Sequence, residues 1–219
     1  ESINWKSTET QVYRLQMRIA KAYREGKQAK AKALQWILTH SFQAKLLATK
    51  RVVQNKGGKT PGVDKIVWKT SSQKMKAALS LQRRGYQAQP LRRIYIPKKD
   101  GRERPLSIPT MKCRAMQALY LLALEPIAEY KADKNSYGFR PKRSAADGIE
   151  ACFSVLARKC APHWIFEADI KSCFDKISHQ WLRDNIPMDK EILNQWLSAG
   201  YIDGNTFHQT RHLTASIPL

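Results

Sequence analysis

The first 55 residues contain no proline and are rich in Ala, Lys, Gln and Leu, a composition that favours helix throughout this part of the chain. Val12, Leu15, Ile19 and Tyr23 form one apolar stripe at helical spacing. Gly26 interrupts it, and Leu34, Ile37 and Leu38 followed by Leu46 and Leu47 form a second stripe with a break expected near Ser41. At least two helices are expected, with Lys and Arg on their remaining faces.

That basic excess runs through the composition. The chain carries 39 Lys and Arg against 18 Asp and Glu, a net charge of +21, well beyond what solubility requires and suited to a partner rich in phosphate. Residues 1–100 hold 23 basic and 5 acidic side chains, net +18, while residues 101–219 hold 16 and 13, net +3. Few acidic residues stand at i,i+4 to balance the lysines, so a phosphate-facing surface explains the excess more economically than a solvated face. A hydrophobic content of 42% is enough for a packed core. Cys113, Cys152, Cys160 and Cys173 show no C-x-x-C pair and no histidines at zinc spacing, which argues against a metal knuckle or a disulfide framework. No apolar run reaches the length of a membrane span and no secretory leader is evident, so a soluble, intracellular protein with no membrane partner is expected.

Asn55–Asp64, NKGGKTPGVD, reads as a flexible basic loop whose backbone amides are free to approach phosphate. The G-x-x-x-x-G-K-[ST] spacing is absent, which disfavours nucleotide hydrolysis. A helix is expected over about Ser72–Arg84, ended by Gly85. Arg92–Thr110 reads as a hairpin: Leu91, Ile94 and Ile96 run out, Lys99-Asp100-Gly101 turns, and Arg104, Leu106 and Ile108 return. Arg92, Arg93, Lys98, Lys99, Arg102 and Arg104 crowd this ribbon. A core helix is expected over about Met111–Glu129. Ser144 is placed to cap another, with Asp147 at its third position. Between them, Tyr137, Phe139, Arg140, Lys142 and Arg143 interleave rings with cations, the combination that stacks bases and holds a phosphate backbone.

In FEADIKSCFDKI, Phe166–Ile177, the apolar Trp164, Ile165 and Phe166 read as a short buried strand, placing Asp169 at its end and Asp175 six residues later. A carboxylate there suits metal binding. Taken alone, the pattern D-x-x-x-x-[FY]-D equally describes a capping Asp beside a core Phe.

In their order and spacing, NKGGKTPGVD, YIPKKDGRERPLSIPT, SYGFRPKRSA and FEADIKSCFDKI resemble the fingers and early palm of group II intron-encoded reverse transcriptases, the maturases of mobile introns. The resemblance covers roughly residues 40–180, and the first 40 residues look like that family's basic N-terminal extension. It implies that Asp169 is the first catalytic aspartate, binding two Mg2+ ions together with the backbone carbonyl of Ile170. It implies that Lys98 and Arg104 hold the dNTP triphosphate and that Phe174 is the gate beneath the deoxyribose. Carboxylates that bring two metals together and cations that neutralise the leaving pyrophosphate are what such a transfer requires. The RNA-binding surface is assigned to Lys45, Lys50, Arg51, Lys56, Lys59, Arg140 and Arg143.

The sequence departs from the family pattern at Ser107, where Gly usually follows Arg-Pro-Leu, at Lys142, where a small residue is common, and at Ser172, where Gly is common. It also ends before the family's Pro-Gln-Gly-Gly loop and Tyr-Ala-Asp-Asp hairpin, so a fragment that is inactive alone is expected. The fold class is α+β: a basic helical extension and loop (1–60), fingers with a basic β-hairpin (61–145), and an incomplete ferredoxin-like polymerase palm (146–219). The implied partners are group II intron RNA, an RNA template with its DNA primer, and dNTP. Copies are expected to associate through the incomplete palm, giving a homodimer, and the location is bacterial cytoplasm or an organelle. Two other readings stay open: a splicing module that grips RNA without polymerising, and a fragment of a retron-like or viral RNA-dependent polymerase.

Overall fold

The computed structural model describes residues 3–99, 101–171, 173 and 176–209. The helical start is three helices: α1 (Trp5–Arg24), α2 (Gln28–His40) and α3 (Phe42–Gln54). Gly26, with φ +70°, takes the left-handed conformation that lets the chain turn from α1 into α2. Ser41 ends α2 and caps α3 through the Ala44 N–H. A single 3-10 turn, Lys56–Lys59, and α4 (Ser71–Ser80) follow, the latter opened by a capping box between Thr70 and Gln73. The expected Ser72–Arg84 helix thus stops four residues early. Gly85, with φ +73°, lies in the turn beyond it rather than at its cap.

The expected hairpin is β1 (Leu91–Pro97) antiparallel to β2 (Glu103–Ile108). Next come α5 (Met111–Lys131), α6 (Ala145–Leu156), α7 (His179–Asn185), α8 (Lys190–Ser198), β3 (Tyr201–Asp203) and β4 (Thr206–His208). Ser144 caps α6 with Asp147 in a capping box, as expected. The Tyr201–Gly204 stretch forms part of a second hairpin, whose β3 pairs parallel with β1 through Leu91↔Tyr201 and Arg92↔Ile202. The sheet order is β2-β1-β3-β4.

One core joins the basic extension to the middle of the chain. Ile19 of α1, Leu38 of α2, Leu81 at the end of α4, Met111, Met116, Leu119 and Ile127 of α5, and Ile192 of α8 are all buried within it. Each buried side chain of this size contributes about 1.5–3 kcal/mol of transfer free energy. Pro126 lies inside α5 and has no N–H for the Leu122 carbonyl one turn earlier. Gln16 of α1 donates its amide to that carbonyl at 2.9 Å, and Gln35 of α2 donates to the adjacent Ala123 carbonyl at 3.1 Å. Gln16 therefore satisfies the carbonyl that the proline leaves open, and the two glutamines tie α1 and α2 to α5.

The buried strand expected at Trp164–Phe166 does not form. These residues belong to no helix or strand, and their exposures are 93%, 72% and 92%. A strand needs a neighbour to take its backbone hydrogen bonds, and among the described residues none of the strands pairs with this segment. Helix α6 likewise has no buried residue, with Ile149 and Phe153 each 70% exposed.

Candidate nucleotide and nucleic-acid site

The hairpin register decides which basic side chains can act together. Ile96 pairs with Arg104 and Ile94 with Leu106, so Ile94, Ile96, Arg104 and Leu106 share one face of the ribbon. Lys98 lies two residues beyond Ile96, and its N–H donates to the Arg102 carbonyl at 2.8 Å, which carries the ladder one step further. Alternation therefore puts Lys98 on the Arg104 face, diagonal to it across the ribbon, with both residues exposed. The opposite face carries Arg93, Tyr95 and Ser107. There the Arg93 guanidinium lies 3.9 Å from the Tyr201 ring centroid and the Tyr95 hydroxyl donates to Asp203. Those contacts tie the hairpin to β3 and leave the Lys98–Arg104 face apart from them.

The Asn55–Asp64 loop is held, not flexible. The Gly58 N–H donates to the Asn55 carbonyl at 2.8 Å and the Thr60 N–H to the Gly57 carbonyl at 3.0 Å, so these amides are already taken. Arg114, in the first turn of α5, reaches back to donate to the Gly57 carbonyl at 2.7 Å and to the Thr60 carbonyl. Burial pulls the Arg114 pKa down while Asp64 pushes it up. Gly62 packs so tightly that a Cβ there would stand 2.6 Å from the Thr110 Cα. The glycines serve close packing, and the exposed Lys56 and Lys59 project from a clamped turn.

Other basic residues differ in their freedom. Arg51 is exposed at the end of α3. Lys45 is partly buried, which lowers its pKa. Lys50 bonds Glu9 at 3.0 Å and lies 4.5 Å from the Trp5 ring centroid. Arg140 is spread over Glu129, at 3.1 Å from Nε, and over the Asp133 and Ser136 carbonyls, the latter at 2.8 Å. It fastens the Ser136–Ala145 turn to the end of α5, and this ion pair holds the Glu129 carboxyl below its ordinary range. Arg143 stands 3.6 Å from the same carboxylate. Within the turn Phe139 is fully exposed, and Phe139 and Lys142 both have positive φ, of 56° and 57°. At such a left-handed position a glycine would carry no Cβ strain.

Asp169 is exposed in the unpaired segment, next to Ile170. Among the described residues no three His, Cys, Asp or Glu side chains are grouped to hold a metal ion. One carboxylate and one neighbouring carbonyl do not make a Mg2+ centre, so the described residues alone do not fit the ion pair. Phe174 lies outside the described residues, as do Ser172 and Asp175. Among the described residues no helix is long and apolar enough to cross a membrane.

The described residues thus combine a basic hairpin with a helical, strongly positive N-terminal stretch. Residues 96–217 match the family model described as reverse transcriptase (RNA-dependent DNA polymerase), and residues 1–81 match that of the N-terminal domain of reverse transcriptase. The chain belongs to the reverse transcriptase family, and the relatives it matches include group II intron-encoded proteins. It is 34% identical over 173 residues to Protein YkfC of Escherichia coli (strain K12), covering 73% of this chain and 45% of that one. It is 33% identical to the group II intron-encoded protein LtrA of Lactococcus lactis subsp. cremoris, covering 75% of this chain and 28% of LtrA. With the putative COX1/OXI3 intron 2 protein of Saccharomyces cerevisiae it shares 30% identity, over 79% of this chain and 21% of that protein. The chain spans less than half the length of each of these relatives.

The Arg114 clamp leaves no local sequence signal, because its partners are backbone carbonyls more than fifty residues away. The missed β3–β4 hairpin had a signal, since Tyr201-Ile202-Asp203-Gly204-Asn205-Thr206-Phe207 flanks a turn with β-forming residues.

Proposed function

We propose that this chain is the N-terminal extension, fingers and partial palm of a group II intron-encoded reverse transcriptase, binding intron RNA for splicing and retrohoming. The observation that carries the reading is the register that sets Lys98 and Arg104 on one exposed face of the β1–β2 ribbon. Two cations held on a rigid ribbon suit a triphosphate, whose charge grows at the leaving pyrophosphate. In a polypeptide extended to the length of its relatives, Asp169 and the Ile170 carbonyl contribute ligands to two Mg2+ ions, and Phe174 lies under the sugar of the incoming dNTP. RNA template and DNA primer complete the complex. The divisions 1–60, 61–145 and 146–219 are its extension, fingers and palm portions. On this reading the 219-residue polypeptide alone does not extend a primer, since two-metal transfer needs carboxylates beyond Asp169. The exposed apolar side chains of α6 and Trp164–Phe166 make association between copies part of this reading.

The test uses the extended polypeptide. Losing a charge-assisted bond to phosphate in Lys98→Ala or Arg104→Ala should raise the dNTP KM about 10- to 100-fold, with RNA affinity unchanged. Asp169→Asn should abolish synthesis and leave RNA affinity intact. An unaltered KM in both hairpin variants contradicts the assignment.

A further inference from the structure

Helix α2 places Gln28, Lys32, Trp36 and His40 at successive i,i+4 positions, so one side chain from each turn lies along a single side of the helix. All four line a groove of about 270 Å3, walled opposite by Tyr120, Ala123 and Ile127 of α5 and by Met188 before α8. Trp36 is 60% exposed although α2 buries Leu34, Gln35 and Leu38 beside it. The His40 ring stacks on the indole with centroids 4.1 Å apart and planes at 23°, and its Nδ1 lies 2.8 Å from the Trp36 carbonyl. The indole is thus backed by a second flat ring and held at the groove's edge.

The charge of the groove indicates what enters. Lys32, Arg83 and Lys190 line it against one carboxylate, Asp189, which Arg83 already binds. Lys190 is held by the Arg183 and Ile186 carbonyls, and Lys32 is exposed. Helix α2 carries no acidic residue. A flat apolar body joined to an anion satisfies the exposed indole and the positive rim together, whereas an apolar peptide side chain satisfies only the first.

We propose that this groove takes a base of single-stranded RNA, stacked on Trp36, with Lys32 at the adjoining phosphate. The site is separate from the hairpin and from the basic end of α3. It rests on the reading that the chain binds RNA, which it deepens by adding a base-stacking position.

The test compares a short oligoadenylate with a ribose-phosphate oligomer of equal length lacking bases, on the 219-residue chain. Stacking of one base predicts that the parent binds the first about 5- to 100-fold more tightly. Trp36→Leu, which keeps an apolar groove but cannot stack, should erase that preference while leaving the salt dependence of binding unchanged. Trp36→Phe should retain most of it. If Trp36→Leu keeps the preference, the stacking site is wrong while RNA binding stands. If the parent binds neither oligomer at low salt, RNA binding itself fails and the site with it. Displacement of the oligomer by equally dilute adenosine monophosphate would identify a free nucleotide as the ligand and overturn the strand.

Discussion

Gln16 of α1 donates to the Leu122 carbonyl of α5 at 2.9 Å, the carbonyl that Pro126 leaves without its helical partner. The pair makes proline and glutamine interdependent. Gln16→Leu should cost about 1–2 kcal/mol, since the partly buried carbonyl then has no donor. In a Pro126→Ala background the backbone N–H returns and the same substitution should cost less than half as much. Denaturant midpoints of the four proteins in this cycle measure the coupling. Equal costs in both backgrounds would show that Gln16 acts elsewhere.

Ser107 is 1% exposed and its Oγ has no hydrogen-bond partner. A buried hydroxyl without a partner is a cost to the fold, so Ser107→Ala should raise stability by about 1 kcal/mol. A thermal melt reads this as an upward shift of Tm. A lowered Tm would mean that the hydroxyl has a partner in solution.

Acid should loosen the Ser136–Ala145 turn. The Arg140 guanidinium lowers the Glu129 pKa below its ordinary 4.5 in the folded state. A depressed folded pKa contributes stability that is present above the unfolded value and disappears as pH falls through the folded one. Glu129→Gln should therefore be less stable than the parent above pH 4.5, and the two should converge at lower pH. Parallel curves across the acid range would refute a charge contribution. Because Glu129 is partly exposed, salt should shrink the gap.

Local signals made much of the fold readable. Gly26, Ser41 and Ser144 mark boundaries that the helices obey, and alternation with a Lys99-Asp100-Gly101 turn disclosed the β1–β2 hairpin. What was not readable depends on distant partners. Trp164–Phe166 has strand-forming residues, but strand formation needs a neighbour, which the local pattern does not encode. Of the candidate residues, the hairpin parity of Lys98 and Arg104 follows once the register is known. The ion pairs of Lys50 and Arg140 do not, because Glu9 and Glu129 are 41 and 11 residues away. Net charge shows that cations are in excess, while only packing shows which of them already hold a carboxylate.

That distinction sharpens the measurement bearing most directly on RNA binding. Arg51, Lys56 and Lys59 are exposed on the end of α3 and the clamped turn, whereas Lys45 is partly buried and Lys50 is engaged by Glu9. The affinity of the chain for folded intron RNA should be measured against salt for the parent, for Arg51, Lys56 and Lys59 all changed to Gln, and for Arg158, Lys159 and Lys171 changed likewise. Each lost phosphate contact lowers the slope of log affinity against log salt by roughly 0.7–0.9. The account predicts a drop of about 2 to 3 for the first variant and little change for the second. Equal weakening by both, or an unchanged slope in the first, would contradict the claim that this end of the chain grips RNA.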